Sequence, residues 1–404
     1  MVYYLEGIRA TGIDNATVMK VLVLTKRQYM GKDLLDDRFG RFRELPLELA
    51  RLGHEVRGLC LSYRARKQTP VIDCTATADG RVEWQSVNLM RGALPVLPSY
   101  FRQARQLIRD FQPDIIWAGS DAFHAIMGYR FSRKYGSKCV IDLYDNFEAF
   151  AATRLPGVLP RFRSAVKAAD GITFFSQRLA AHVIRTYPIT NFHTVILSGV
   201  RKDLFFHQNR SACRRALKLP PNAQILGVAG ALDSSRGIDT LFSAYATLAK
   251  EIPELHLALA GARRTKQKIP TGIRIHDFHA LPHEKVPVFL NALDVAVIAY
   301  RQSAQGEYSF PQKAYEIIAC GVPLVAAAVG SMNELLRDYP DCLYQPEDAR
   351  SLATALRLQL QRKMTVEIDA PSWADSAARM DAFLKEIVAY KGSAGQRPKV
   401  ATSS

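Results

Sequence analysis

Residues 223–262 read AQILGVAGALDSSRGIDTLFSAYATLAKEIPELHLALAGA, and this stretch decides the fold. It begins with a short apolar run, AQILGVAGAL, that is typical of a strand buried on both faces. A polar loop and the helical pattern IDTLFSAYATLAKEI follow, and a second apolar run, LHLALAGA, ends the stretch. A strand, a helix and a strand in this order predict a β-α-β unit of a parallel, doubly wound sheet.

The same alternation fills the first half of the chain. Strand-like runs occur at VMKVLVLTK, PDIIWAG and KCVIDLYD, with helical patterns between them. Because the pattern restarts near residue 224, the sequence predicts two Rossmann-like domains that face one cleft, with ligands beyond the carboxyl ends of the strands. The predicted organisation is an N-terminal extension at 1–19, a first domain at 20–195 on which a helix at 373–390 packs back, a second domain at 196–372, and a disordered tail at 391–404.

The composition fits a globular protein and excludes several classes. The chain has 404 residues, of which 48% are hydrophobic and 23% are charged, which suits two domains. No apolar run approaches the ~18 residues that span a bilayer, and the first twenty residues lack the pattern of a secretory signal. The six cysteines form no Cys-x-x-Cys pair and no zinc-like spacing with histidine, so we expect buried thiols and a reducing cytoplasm.

Residues 309–330, SFPQKAYEIIACGVPLVAAAVG, form the most informative segment for function. Ser309 can cap a helix, and Pro311 suits the first turn of that helix. Lys313 and Glu316 then share one helix face. A helix N-terminus suits a diphosphate, and a carboxylate one to two turns later suits a ribose diol. For this segment alone, an amphipathic helix with a solvated Lys–Glu pair is an equally weighted alternative.

A second segment, GVAGALDSSRGIDTLFSAYATL at residues 227–248, supplies a candidate phosphate contact. A strand ends at Gly230, and Arg236 and Gly237 lie where the next helix begins. An arginine at that position can hold a phosphate through two parallel hydrogen bonds. Taken alone, the segment fits an ordinary βα loop with a surface arginine better.

Together the two segments resemble the retaining GT-B glycosyltransferases of family four. They are similar to its G-x-L…K-G-x-D-x-L-x-x-A and E-x7-E blocks in order and spacing, and the resemblance covers roughly residues 20–390. It implies that Glu316 binds the ribose of a nucleotide, that Arg236 contacts the diphosphate, and that the helix start near Lys313 holds the distal phosphate. The donor-binding residues that it implies are Gly31, Gly230, Arg236, Ser309, Phe310, Pro311, Lys313 and Glu316.

Three positions depart from the family pattern. Ser309 replaces the first acidic residue of E-x7-E, which resembles a sub-branch that reads S-x-P-x-K-x-x-E. Ala231 replaces the arginine of the G-R-L block and removes one phosphate contact. Ser198-Gly199-Val200-Arg201 stands where the family has N-G-V-D.

The first domain is expected to hold the acceptor. The stretch IDLYDNFE is similar to the family's D-x-H-D-x-x-E, so Asp145 and Glu148 are candidates to orient an acceptor hydroxyl. A capping aspartate and a structural glutamate are the alternatives. Asp121 and His124 follow the strand PDIIWAGS, where the family has a histidine on the donor sugar, and a packed helix residue is an equal alternative for His124. The implied catalytic set is Asp121, His124, Arg236 and Lys313.

The resemblance implies a nucleoside diphosphate sugar as donor, retention of configuration, and a glycan or lipid-linked acceptor in cell-surface polysaccharide or glycolipid synthesis. Arg236 and Lys313 would stabilise the leaving phosphate, and the sequence has no Asp-x-Asp motif, so no metal or other cofactor is expected. A nucleotide-sugar 2-epimerase-like enzyme and a non-catalytic nucleotide-sugar-binding scaffold stay open as alternatives. Nucleic acid is not an expected partner, because the basic residues are dispersed and stacking-aromatic modules are absent.

Charge points to one further partner. The net charge is +16, and residues 1–200 hold 28 Lys/Arg against 18 Asp/Glu. One predicted helix carries an arginine stripe opposite an apolar stripe. The arginines are Arg102, Arg105 and Arg109, and the apolar residues are Phe101, Ala104, Leu107, Ile108 and Phe111. Two further basic groups lie at residues 130–134 and 161–167, so we expect peripheral binding of this domain to an anionic membrane at its cytoplasmic face. Solvated surface helices are the alternative.

Overall fold

The first domain is built on an eight-stranded sheet. The computed structural model describes residues 18–29, 32–63, 72–91, 94–95, 97–263, 270, 272, 274–308 and 312–390. In chain order the strands are β1 (Lys20–Lys26), β2 (Glu55–Ser62), β3 (Ile72–Ala76), β4 (Arg81–Asn88), β5 (Ile115–Gly119), β6 (Lys138–Leu143), β7 (Gly171–Phe174) and β8 (Phe192–Val195). Their order across the sheet is β8-β7-β6-β5-β1-β2-β4-β3. This order reverses between β1 and β5, where doubly wound folds bind ligands.

One strand departs from the predicted parallel arrangement. β3 pairs antiparallel with β4, whereas the other neighbouring pairs of this sheet are parallel. β3 lies at the sheet edge and is only partly buried, and because it runs antiparallel to β4, the connection between the two strands needs no crossover helix. Two short antiparallel ladders, Gln28–Tyr29 with Lys32–Asp33 and Met90–Arg91 with Leu94–Pro95, lie outside the sheet.

Helices cover both faces of the first sheet. They are α1 (Arg41–Arg51), α2 (Leu97–Phe111), α3 (Ala122–Tyr135), α4 (Val158–Ala168) and α5 (Gln177–Thr186). Helix α1 connects β1 to β2, which lies on one side of β1 in the sheet. Helices α2 to α5 connect the strands that follow β4, which lie on the other side of β1 in the order β5 to β8. Right-handed crossovers therefore place α1 on one face and α2 to α5 on the other. In agreement with this layering, α3 contacts both α2 and α4.

The second domain has a six-stranded, fully parallel sheet. Its strands are β9 (Gln224–Ala229), β10 (Leu255–Ala260), β11 (Ile275–Asp277), β12 (Val295–Ile298), β13 (Leu324–Ala327) and β14 (Leu343–Tyr344). The order β11-β10-β9-β12-β13-β14 reverses between β9 and β12. The helices are α6 (Arg210–Ala216), α7 (Ile238–Glu251), α8 (Val286–Asn291), α9 (Ala304–Tyr308), α10 (Gln312–Ala319), α11 (Ser331–Leu335) and α12 (Ala349–Arg362). The two predicted Rossmann-like domains are thus confirmed.

The last helix, α13 (Trp373–Ala389), lies against α1 of the first domain. Its residue Asp381 pairs with the Nε2 of His54 at 2.8 Å. Gly171 of β7 allows close packing on the same side, since a Cβ there would lie 2.3 Å from the Cδ1 of Ile387. The chain therefore returns to its first domain after completing the second.

The cysteines and helices bear on two expectations from the sequence. All six cysteines are free thiols, and five of them are buried as expected. Cys74 is exposed, because it lies on the partly buried edge strand β3. Within the described ranges, no helix combines the length and the apolar character needed to cross a membrane.

Candidate active site

Four donor-side candidates, Gly230, Arg236, Lys313 and Glu316, meet at the carboxyl end of β9, where the strand order of the second sheet reverses. The Nζ of Lys313, in the first turn of α10, donates a hydrogen bond to the carbonyl oxygen of Ala229 at 2.6 Å. Gly230 follows with a φ of +140°, and a Cβ there would lie only 1.7 Å from that Nζ. A glycine is therefore required at this strand end for the lysine to occupy its position.

Lys313 is a half-buried cation. The pKa of its ammonium group is lowered to about 8, mainly by burial; Glu316 opposes the change, and Arg236 adds to it. The ammonium group has three N–H donors, and the carbonyl oxygen of Ala229 accepts from one of them. An anion bound beside the ammonium would replace its lost hydration and raise the pKa again. The position thus has the properties of an anion-binding site.

Arg236 is held beside this position by a tyrosine. A single 3₁₀ turn, Ser234–Arg236, leads through Gly237 (φ +76°) into α7. The Nη1 of Arg236 donates to the hydroxyl of Tyr300 at 2.7 Å, and the guanidinium lies 5.3 Å from the centroid of that ring. Tyr300 follows β12 closely, so the two strand ends at the reversal point together position the arginine. Further N–H donors of the guanidinium stay available for a phosphate.

Glu316 is a buried carboxylate, with only 6% of its surface exposed. Its Oε1 lies 3.7 Å from the Nε2 of His283, too far for a hydrogen bond. The ring of His283 packs edge-on against Phe39 of the first domain and tilted against Phe205, with centroids 5.1 and 5.3 Å away. A carboxylate in this setting accepts hydrogen bonds only, which suits the hydroxyls of a ligand.

A second group of charged side chains lies at the carboxyl ends of β1, β5 and β6 in the first domain. The ammonium group of Lys26, the last residue of β1, lies 5.8 Å from the ring centroid of Tyr144 and 5.6 Å from that of Phe150. Burial lowers the pKa of Lys26, while Asp121 and Asp145 act in the opposite direction. Three neighbouring strand ends thus bring one cation and two carboxylates together.

Asp121 caps α3 and receives three hydrogen bonds. Its Oδ1 accepts from the backbone N–H and the ring Nδ1 of His124, at 2.9 and 2.7 Å, and its Oδ2 accepts from the hydroxyl of Tyr63 at 2.9 Å. Burial alone would raise the pKa of Asp121, but His124 and Lys26 outweigh burial and hold it below the usual range. His124 itself is 0% exposed and is enclosed by aromatic rings. This burial agrees with the packed-helix alternative, but the buried Nε2 of His124 has no hydrogen-bond partner among the described residues, so its contact with a donor sugar stays a prediction.

Glu148 is occupied by neighbouring side chains. Its two oxygens accept from the guanidinium of Arg163 at 2.8 and 2.9 Å, and one also accepts from the hydroxyl of Tyr187. Burial acts to raise the pKa of Glu148, and these donors reverse the effect and lower it. This arrangement favours the structural alternative for Glu148 and leaves Asp145 as the acceptor-side candidate of that stretch.

Four candidates, Gly31, Ser309, Phe310 and Pro311, lie outside the described residues, as do residues 1–17 and the tail at 391–404. The helix predicted to follow Ser309 is described from Gln312 onward as α10. Among described side chains, no group of three or more His, Cys, Asp or Glu is arranged to hold a metal ion.

Solved glycosyltransferases share this two-domain architecture. A sucrose-phosphate synthase from Thermosynechococcus elongatus superimposes with a TM-score of 0.68 at 20% identity, covering 92% of this chain and 94% of that one. Anabaena HepE in complex with UDP-glucose gives 0.62 at 16% identity, covering 91% and 98%. At these identities the likeness shows the fold.

The sequences of the two domains match glycosyltransferase families. The model of Glycosyltransferase Family 4 matches residues 41–204, and the model of Glycosyl transferases group 1 matches residues 223–362. One match falls on each domain. Each domain of the chain thus matches a glycosyltransferase family, and the two together have the GT-B fold. Its second-domain match contains Arg236, Lys313 and Glu316, and its first-domain match contains the acceptor-side candidates.

Curated relatives match part of the chain. A D-inositol 3-phosphate glycosyltransferase from Geodermatophilus obscurus is 28% identical over 217 residues, which is 50% of this chain and 47% of the relative. One of the same name from Mycolicibacterium gilvum is 31% identical over 151 residues, 36% of this chain and 33% of the relative. The chain thus spans about half or less of these relatives.

The two domains of the chain also touch beside the donor-side residues. The guanidinium of Arg178, in α5, pairs with Glu334 of α11 at 2.8 Å and with Glu307 of α9. The ring of His182, also in α5, stacks on Tyr308 of α9 with centroids 4.5 Å apart. Because α9 precedes α10 closely, these contacts tie the helix that carries Lys313 to the first domain.

Two residues at the site escaped the sequence reasoning. Lys26 reads as the final residue of an apolar strand, and the only signal was its position at the strand's carboxyl end. His283 lies in the connection FHALPHEKVPVF, whose match to the family path gave no role to a single residue. Lys26 and His283 can be recognised as site residues only from the fold, which brings Asp121, Asp145 and Glu316 close to them.

Proposed function

We propose that this chain transfers a sugar from a nucleoside diphosphate sugar to an acceptor hydroxyl, with retention of the anomeric configuration and without a metal ion. The observation that carries the proposal is the convergence of Arg236, Lys313 and the buried Glu316 at the ends of β9 and β12. Two adjacent cations match a diphosphate, and an acceptor-only carboxylate matches a ribose diol.

The proposed chemistry follows from the charges. The bond that breaks joins the anomeric carbon to an oxygen of the β-phosphate, on which negative charge grows. Arg236 and the protonated Lys313 stabilise that charge in a half-buried site, where the interaction is stronger than in water. In a same-face reaction, the leaving phosphate oxygen accepts the proton of the attacking hydroxyl. The two cations would then do what a divalent ion does in other folds.

The comparisons support a nucleoside diphosphate sugar as the donor, and they add a second class of acceptor to consider. HepE was solved with UDP and with UDP-glucose, and a trehalose-6-phosphate protein of E. coli was solved with UDP-2-fluoro glucose. The acceptor that we propose is a glycan or lipid-linked sugar of cell-surface polysaccharide or glycolipid synthesis. The names of relatives, which include inositol 3-phosphate and sucrose-phosphate, make phosphorylated polyols the rival acceptor class.

A thermal-shift screen against UDP, GDP, ADP and their sugars tests the donor proposal. A ligand at a hundred times its Kd stabilises the folded protein by about 2.7 kcal/mol, so one nucleoside diphosphate should raise Tm clearly above its nucleoside. Arg236→Met should reduce the shift by the diphosphate and leave the shift by the nucleoside unchanged. No shift by any diphosphate would contradict the proposal. Binding without turnover on any acceptor would favour a scaffold, and an epimerised sugar would favour the 2-epimerase.

We further propose that the first domain binds an anionic membrane surface. Helices α2, α3 and α4, adjacent on one face of the sheet, contain nine basic residues and one acidic residue, Asp110. The basic residues are Arg102, Arg105, Arg109, Arg130, Arg133, Lys134, Arg161, Arg163 and Lys167, and all but the half-buried Arg163 are exposed. Within the described part of the chain, only Arg163 among them forms an ion pair.

The apolar stripe of α2 is not available for insertion into lipid. Leu107, Ile108 and Phe111 are buried between α2 and the sheet. Contact with lipid would therefore be electrostatic, at about 1 kcal/mol per basic residue near the surface, and reversed by salt.

Cosedimentation with phosphatidylglycerol and phosphatidylcholine vesicles tests the membrane proposal. We expect binding to the anionic vesicles at low salt, release at high salt, and no binding to the neutral vesicles. Replacing Arg102, Arg105 and Arg109 by Gln should weaken binding. Replacing the three arginines of α12 (Arg350, Arg357 and Arg362) in the second domain should not. Equal loss in both variants, or no binding at low salt, would contradict the proposal.

A further inference from the structure

His283 lies beside the carboxylate that we expect to bind the ribose, and the chemistry proposed above gives it no role. It begins a single 3₁₀ turn, His283–Lys285, which follows β11 and leads into α8. The Nε2 of His283 lies 3.7 Å from the Oε1 of Glu316 in α10. Two segments that are distant in the sequence therefore bring an imidazole and a carboxylate side by side.

The Nε2 of His283 is a buried polar atom without a hydrogen-bond partner among the described residues. Buried polar side-chain atoms are usually paired, because an unpaired one has lost its contact with water and gained nothing in return. The nearby carboxylate does not pair with it, since 3.7 Å is too long for a hydrogen bond. The arrangement indicates a position that a ligand can complete.

The ring of His283 is held in place by two phenylalanines. Its centroid lies 5.1 Å from that of Phe39, with the ring planes at 74°, and 5.3 Å from that of Phe205, with the planes at 55°. A ring packed between two others has little freedom to turn toward Glu316, so the packing maintains the gap between the two polar atoms. Phe39 belongs to the first domain and precedes α1, so a wider cleft between the domains opens this position to a ligand.

We propose that His283 and Glu316 together bind the vicinal hydroxyls of the ribose, one hydroxyl to each side chain. This assignment rests on the proposed glycosyltransferase function, and it adds a second group to the recognition of the nucleoside. The carboxylate of Glu316 accepts from the hydroxyl next to it. The Nε2 of His283 accepts from the other hydroxyl or donates to it, depending on the tautomer of the ring, and a hydroxyl can serve in either role.

The geometry favours a diol over a phosphate as the ligand of this pair. Two neighbouring oxygens of a diol, each about 2.8 Å from its own partner, fit across two protein atoms that lie 3.7 Å apart. A phosphate beside the Nε2 would lie close to the carboxylate of Glu316, and like charges at such a distance repel each other. The cations for the diphosphate, Arg236 and Lys313, lie at the end of β9. The pair therefore predicts a preference for ribonucleotides over deoxyribonucleotides.

The test compares the full chain with its His283→Phe variant, which keeps an aromatic ring between Phe39 and Phe205 and removes the nitrogen. His256→Phe is the matched control. His256 is also half-buried in the second domain, and its ring stacks on that of His276 with centroids 5.1 Å apart. It lies near the start of β10, however, at the edge of the sheet opposite to the site. Calorimetry would follow UDP, 2′-deoxy-UDP and 3′-deoxy-UDP, and the Tm of each variant would report its stability.

We expect the wild type to bind UDP on the order of tenfold more tightly than either deoxy analogue. His283→Phe should weaken UDP about fivefold, the loss typical of one hydrogen bond, and should weaken one deoxy analogue by the same factor. It should leave unchanged the analogue that already lacks the hydroxyl held by His283. His256→Phe should bind all three ligands as the wild type does.

Three results would overturn the proposal. A wild type that binds UDP and both analogues equally would do so without any variant. Equal loss for all three ligands in His283→Phe would make His283 a packing residue, and unchanged UDP affinity in that variant would remove it from the site. A wild type that binds none of the three ligands would instead contradict the proposed donor, on which the role of His283 rests.

Discussion

The pKa of Lys313 leads to a prediction about how donor affinity depends on pH. The fall from 10.5 to about 8 corresponds to roughly 3 kcal/mol at ~1.4 kcal/mol per unit, mainly because burial disfavours the charged form. A bound diphosphate favours the charged form and raises this pKa. Above pH 8, the complex therefore binds more protons than the unliganded protein does, and affinity falls as pH rises.

The expected change in UDP affinity with pH follows from the uptake of one proton by Lys313 on binding. UDP affinity should be nearly constant from pH 7 to 7.5 and should then fall by up to about tenfold per pH unit, until the raised pKa of the complex is reached. Calorimetric titration of UDP from pH 7 to about 9 measures this, because phosphate ionisation near pH 6 is nearly complete and the uracil ring is still mostly neutral in that range. Lys313→Met should bind UDP weakly at every pH and show a flat profile. A wild-type profile that is flat, or that rises with pH, would refute the reasoning.

Three further predictions concern the same site. Glu316→Gln should weaken UDP and uridine alike by about 1.5–3 kcal/mol, because both carry the ribose, and unchanged affinity for both would remove the ribose assignment. Gly230→Ala should abolish tight UDP binding, because its Cβ would displace the ammonium of Lys313, whereas Gly53→Ala, with φ +87° and no atom within 4 Å, should lower stability alone. If both glycine variants bound UDP normally, Lys313 would not be the phosphate contact. Turnover should survive EDTA, and loss that Mn²⁺ restores would overturn the proposal of a metal-free reaction.

The fold was predictable because its signals are local. Each buried parallel strand is a continuous apolar run, and each run is followed by a helical pattern, so the two doubly wound sheets follow from the sequence. The donor side was predictable for the same reason. Lys313 and Glu316 are one helical turn apart, and Gly230 ends a strand that the sequence delimits clearly.

The rest depends on contacts between distant parts of the chain. The electrostatic surroundings of Lys26 include Asp121 and Asp145, which only the sheet brings near it, and no periodicity in the sequence predicts this proximity. Burial of His124 likewise follows from the packing of α3 on its neighbours. The apolar face of α2, with Leu107 at its centre, packs on the sheet, which the sequence alone does not show because an amphipathic pattern does not say what covers its apolar side.

The central claim is that the chain cleaves a nucleoside diphosphate sugar with retention, using Lys313 and Arg236. The most direct measurement is proton NMR of the anomeric signals during incubation with UDP-glucose, with water or an added sugar as acceptor. We predict release of UDP with an α-configured first product, and loss of that release in the Lys313→Met, Arg236→Met double variant. A β-configured first product, or release that the double variant retains, would contradict the claim.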